Sequence, residues 1–88
     1  MSYVAKLSSR AAKDLDRLNE PVLSRVLDRI DALAANPHDP ILSAKITGKG
    51  QLRKSRIGGW RIIFTLNNAR HELFVITIER RGQVYSRL

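Results

Sequence analysis

Apolar residues recur along this chain first at helical spacing and then at alternate positions, and the change of period separates two kinds of structure. Residues 3–7 alternate Tyr3, Ala5 and Leu7 with Val4 and Lys6, which predicts a short strand. Ser8 or Ser9 then supplies a hydroxyl to accept from the free amides of a first helical turn. Ala11, Ala12, Leu15 and Leu18 give that helix one apolar face. Asn19, Glu20 and Pro21 end it and start another, because proline is tolerated in a first turn. The second helix carries Val22, Val26, Ile30 and Leu33 in one row with Leu23, Leu27 and Ala34 beside it, a stripe broad enough to require burial. The tight connection makes the two a helical hairpin.

Asn36, Pro37, His38, Asp39 and Pro40 stop the second helix, and a loop follows to about Gly50. From Leu52 the period is two. Residues 52–57, 60–66 and 72–80 read as strands, joined at Gly58-Gly59 and at Asn67-Asn68-Ala69-Arg70. Both joints suit hairpins, so the strands form an antiparallel meander. The expected fold is α+β: one domain over residues 1–88, two helices on one face of an antiparallel sheet of about four strands that the N-terminal strand joins, and the other face open.

Eighty-eight residues bury one modest core, and 43% apolar with 27% charged residues is a globular composition. With no cysteine, disulfides and thiolate metal sites are excluded. The first ten residues lack the apolar stretch of a signal peptide, and the longest apolar runs are strand-sized, so the expected location is cytoplasmic, with no membrane partner.

Charge is distributed unevenly along the chain. Residues 1–44 hold six cations and six acids, whereas residues 45–88 hold ten cations against Glu72 and Glu79 alone, so the net +8 lies wholly in the second half. A segregated, arginine-rich surplus is the footprint of a polyanion binder. Alternation places Lys54 and Arg56 on one face of their strand and Arg53 and Ser55 on the other. In the next strand Trp60, Ile62, Phe64 and Leu66 form the core side, which sends Arg61 to the open face. One of Arg80 and Arg81, and Tyr85, complete a basic surface suited to phosphate oxygens and to the charge of a phosphorane. Lys45, Lys49, Arg53 and Arg80 are further RNA-binding candidates.

Cleaving RNA without a metal requires that the 2′-OH lose a proton, the phosphate be neutralised and the leaving 5′ oxygen gain a proton. His38 and His71, the usual residue type for such transfers, sit away from the basic strands and read as surface residues. Lys54, among Arg53, Arg56 and Arg61, is the lysine that could take the histidine's place, and Tyr85 is a second proton carrier or a stacking surface. Trp60 reads as core. No phosphate-binding glycine loop or His/Asp/Glu cluster appears in the sequence, so no metal and no cofactor is expected, and nucleotide phosphotransfer loses support.

The element order, the block from Leu52 to Phe64 (LRKSRIGGWRIIF) and the ending from Val75 to Tyr85 (VITIERRGQVY) resemble the RelE/ParE family of toxins, and more closely its RelE-like branch. That resemblance implies a RelE-like microbial RNase-type fold. It also implies the toxin of a type II toxin–antitoxin pair, a ribosome-dependent endoribonuclease that cuts messenger RNA in the A site and is neutralised by a cognate antitoxin. Lys54, Arg56, Arg61, Arg81 and Tyr85 resemble the family's catalytic set. By that likeness Lys54 or Tyr85 helps activate the 2′-OH, Arg61 and Arg81 stabilise the transition state and assist the leaving oxygen, and the products carry a 2′,3′-cyclic phosphate and a 5′-OH. The toxin–antitoxin complex is expected to reach operator DNA through the antitoxin. Arg53 stands where an aromatic is common, Arg56 where a lysine is common, and the interval from Arg81 to Tyr85 is short. The alternative within the family is a ParE-type toxin, which inhibits DNA gyrase by binding alone.

Overall fold

In the computed structural model, residues 2–80 are described, and Arg81 and Tyr85 lie outside them. Chain order runs β1 (Val4–Leu7), α1 (Ser9–Asp16), α2 (Val22–Ala35), β2 (Ala44–Lys45), β3 (Arg53–Ile57), β4 (Trp60–Asn67) and β5 (Glu72–Arg80). The strands form one sheet in the order β1-β5-β4-β3-β2. Two helices on a sheet with an antiparallel meander is the expected α+β architecture.

Two features of the sheet depart from expectation. β1 joins at the edge beside β5 and runs parallel to it, with Val4 opposite Glu72 and Leu7 opposite Val75. A parallel neighbour needs a crossover rather than a tight turn, and the helical hairpin with the rest of the meander provides one. The fifth strand, β2, is only two residues long and pairs Ala44 with Lys54 and Lys45 with Arg53. Such a segment is too short to carry a period.

Ser8 fixes the join between β1 and α1. Its hydroxyl accepts from the Ala11 amide at 2.9 Å, while its own amide donates to the Val75 carbonyl at 2.9 Å. One residue thus caps a helix and holds it to β5. At the start of α2, where Pro21 supplies no side-chain cap, the Glu20 carboxylate accepts from the amide and hydroxyl of Ser24 at 2.9 and 2.7 Å. Those bonds hold the Glu20 carboxyl below its ordinary pKa. The Lys6 ammonium, 2.6 Å from Glu72, lowers that carboxyl likewise and ties β1 to β5.

The core joins Ala11, Leu18, Val26, Ile30 and Leu33 of the helical hairpin to Ile62, Phe64, Leu73, Val75 and Ile78 of the sheet. Strict alternation would put Ile78 on the face opposite Leu73 and Val75. A register shift corrects this: Ile63 faces Thr77 while Phe64 faces Val75, so Ile76 is the extra residue of a bulge. The bulge returns Ile78 to the core and brings Glu79 opposite Arg61.

Where β1 ends, the edge of β5 is closed by Asp14, whose Oδ2 accepts from the Ile78 amide at 3.0 Å and from the Thr77 hydroxyl at 2.9 Å. Asp14→Ala removes both bonds and leaves a part-buried amide unpaired, a loss of about 1–3 kcal/mol. The urea midpoint is expected to fall by the corresponding amount with the slope unchanged; an unaltered midpoint would show that water replaces the carboxylate at no cost.

Candidate nucleic-acid interface

Cross-strand partners share a face of a sheet, so the register defines the site. Arg56 on β3 stands opposite Arg61 on β4, which stands opposite Glu79 on β5. The next rung on the same face is Lys54, Ile63 and Thr77. The rungs on either side, Ser55-Ile62-Ile78 and Ile57-Trp60-Arg80, belong to the helix-covered face. Lys54, Arg56 and Arg61 therefore do share the face turned away from the helices, as alternation requires.

They are not equally available. Arg56 is exposed and Lys54 half-buried. Arg61 is only 15% exposed, and its Nε lies 3.3 Å from Oε1 of Glu79, itself 17% exposed. One of the two acids in the second half thus sits among the predicted cations. The pairing fixes the guanidinium while its remaining N–H groups stay able to donate. Lys54 and Arg56 border a depression of about 370 Å³ walled by Pro40 to Ala44, in which Ile41 is 89% exposed.

The other candidates lie elsewhere. Arg53 is on the helix-covered face in register with Phe64, and its Nη2 donates to the Ser43 hydroxyl at 2.8 Å, which donates to the Pro37 carbonyl at 2.7 Å. It binds the loop before β2 to the sheet. Arg80 is exposed on that same side, 5.6 Å from the centre of the Trp60 ring, a cation–π distance. Lys45 on β2 and Lys49 in the following turn are exposed. His38 and His71 flank Tyr3, with ring centres at 6.4 and 5.0 Å, at the far end of β5 from Arg80.

Sequence reasoning missed cations of the electrically balanced half. The Arg29 Nη1 donates to the Ser55 hydroxyl at 2.9 Å and to the Arg56 carbonyl at 2.8 Å, so α2 holds β3 directly behind the exposed Arg56. Arg25 and Arg29 flank Gly58 beside Arg56, and Arg10, Lys13 and Arg17 line a groove with Trp60 and Arg80. Their spacing, one helical face each, was the available signal.

Among the described residues no helix is long and apolar enough to cross a membrane.

The sequence profile described as the ParE toxin of the type II toxin–antitoxin system parDE matches residues 5–85. No curated protein matches the chain. Among solved structures, the archaeal RelE–RelB complex from Pyrococcus horikoshii is similar at 25% identity and a TM-score of 0.78, over 94% of this chain and 99% of that one. The isolated RelE toxin of Escherichia coli gives 21% identity and 0.79 over 98% and 94%. A YoeB/ParE toxin from Agrobacterium tumefaciens gives 13% and 0.76 over 88% and 96%. The last two likenesses establish the fold alone.

Proposed function

This chain belongs to the ParE toxin family of type II toxin–antitoxin systems, and from that premise we propose that it acts as a ribosome-dependent endoribonuclease on messenger RNA in the A site. The observation that carries the reading is the common face of Lys54, Arg56 and Arg61, a surface for phosphate that inhibition by binding alone does not require. The similar RelE–RelB complex favours the same direction.

In this reading Arg56 takes the phosphate next to the cut. Arg61, held by Glu79, faces the same rung and offers its free N–H groups to the charge that grows on the non-bridging oxygens, without reorganisation at the moment of reaction. Lys54 or Tyr85 accepts the 2′-OH proton, and Arg81 assists the departing 5′ oxygen. The 2′ oxygen bonds to phosphorus as the bond to the 5′ oxygen breaks, and that oxygen takes a proton from water beside Arg81, leaving a 2′,3′-cyclic phosphate and a 5′-OH with no metal or cofactor in the scheme. Lys45 and Lys49 extend the RNA contact along the sheet's far edge. A cognate antitoxin covers the basic face in the resting cytoplasmic complex and carries it to operator DNA.

Gyrase inhibition is the second reading, favoured by the description of the matching profile. Purified toxin added in parallel to translating ribosomes and to a gyrase supercoiling reaction separates the two. Arrested translation with cut message and untouched supercoiling is expected; loss of supercoiling with intact message would overturn the proposal.

A further inference from the structure

A cavity of about 560 Å³ lies between α1 and the end of β5, off the face that carries Lys54 and Arg56. Arg10, Lys13 and Arg17, the last being the C-cap of α1, are exposed and spaced three and four residues apart, so they form one row along the groove's rim. Arg80 and Trp60 close the opposite side. Two acids line the wall, and both are engaged: Asp14 accepts from Thr77 and Ile78, and Glu79 pairs with Arg61. Four cations thus face a groove whose carboxylates are already occupied.

We propose that this groove is a second RNA-binding site, which takes a neighbouring stretch of the same strand that the Lys54/Arg56 face holds. The inference rests on the RNA reading above and extends it to a surface with no part in the chemistry. Charge complementarity selects a polyanion. Continuity selects the substrate strand: Glu79 belongs both to the groove wall and, through Arg61, to the open face, so a chain leaving Arg56 along that rung passes over the end of β5 into the groove. Trp60, half-buried beneath Arg80, adds an aromatic–guanidinium step on which a base stacks, a feature that an acidic protein segment would not use.

The test uses two RNA oligonucleotides blocked against cleavage by 2′-O-methylation, one of about four nucleotides and one of about twelve, spanning the usual range of single-strand site sizes. Removing three phosphate contacts makes the salt dependence of binding shallower by about two in log–log slope. The R10A/K13A/R17A variant is therefore expected to bind the long oligonucleotide tenfold or more weakly, with that shallower slope, and the short one as the parent does. K54A/R56A is expected to weaken both. The R10K/R17K variant, which keeps the charges, retains binding to the long oligonucleotide, and equal melting temperatures confirm that all variants fold. Parental affinity and slope of the triple variant for the long oligonucleotide would overturn the groove while leaving the RNA reading intact. Loss of binding to an acidic antitoxin, with RNA binding kept, would assign the groove to the protein partner and overturn the RNA occupant. Failure of the parent to bind either oligonucleotide would overturn the groove as an RNA site, while cleavage on translating ribosomes decides the RNA reading separately.

Discussion

Alanine at both Lys54 and Arg56 is expected to lower cleavage of ribosome-bound message by a factor of about 100 to 10,000, the range for losing a positioned proton-transfer group, here together with the phosphate contact of Arg56. Both side chains lie on the face away from the helices, and neither belongs to the core. The double variant should therefore melt within about 0.5 kcal/mol of the parent, as surface substitutions usually do. Groups that act together in one step are not additive, so each single variant should lose most of the activity alone. The measurement is the single-turnover rate on programmed ribosomes. An equally active double variant would place the chemistry elsewhere on the molecule.

Phe64→Ala is expected to have the largest effect on stability. Phe64 is fully buried at the centre of β4, within the cluster that Val26, Ile30 and Leu33 of α2 form with Ile62, Leu73 and Val75. Removing its ring costs about 3–5 kcal/mol, a large share of the roughly 5–15 kcal/mol that holds a domain together. For a chain of this size the melting temperature should fall by more than about 10 °C. Because a partner that binds only the folded toxin adds stability by mass action, the antitoxin should recover much of that loss. A shift of only a degree or two would mean that neighbouring side chains collapse into the space.

The parts of this fold that follow local rules were legible in the sequence. The stripe from Val22 to Leu33 produced a helix whose Val26, Ile30 and Leu33 are buried, and Gly58-Gly59 produced the hairpin between β3 and β4, with Gly58 at a φ of +55°. The same alternation that buried Ile62 and Phe64 put Arg61 on the other face. What escaped depends on residues far apart in the chain. The parallel pairing of β1 with β5 joins residues 4 and 72, and no local pattern records it. The bulge at Ile76 exchanges the faces of the last residues of β5, so Arg80 lies over Trp60 while Glu79 meets Arg61. Simple alternation from Leu73 would have reversed those two.

Charge follows the same rule. Dividing the chain into halves locates the basic surplus but does not say where the fold sets Arg10, Lys13, Arg17, Arg25 and Arg29. In the structure α1 sets the first three beside the end of β5, and α2 sets the last two beside Arg56 and Gly58. Arg53 illustrates the converse, a cation of the basic half whose hydrogen bonds secure a loop on the covered face. Composition finds the sign of a partner, whereas only the sheet register decides which cations reach it.

The chemistry of the RNA ends left on translating ribosomes is the most direct measurement of what the Lys54/Arg56/Arg61 face does. Ribosomes stalled on a defined message are incubated with the purified toxin, and both fragments are analysed at the cut. A 5′-hydroxyl on one and a 2′,3′-cyclic phosphate on the other, within the A-site codon and absent with K54A/R56A, is the predicted result. Intact message in the presence of toxin that blocks gyrase, or equal cutting by the double variant, would contradict it.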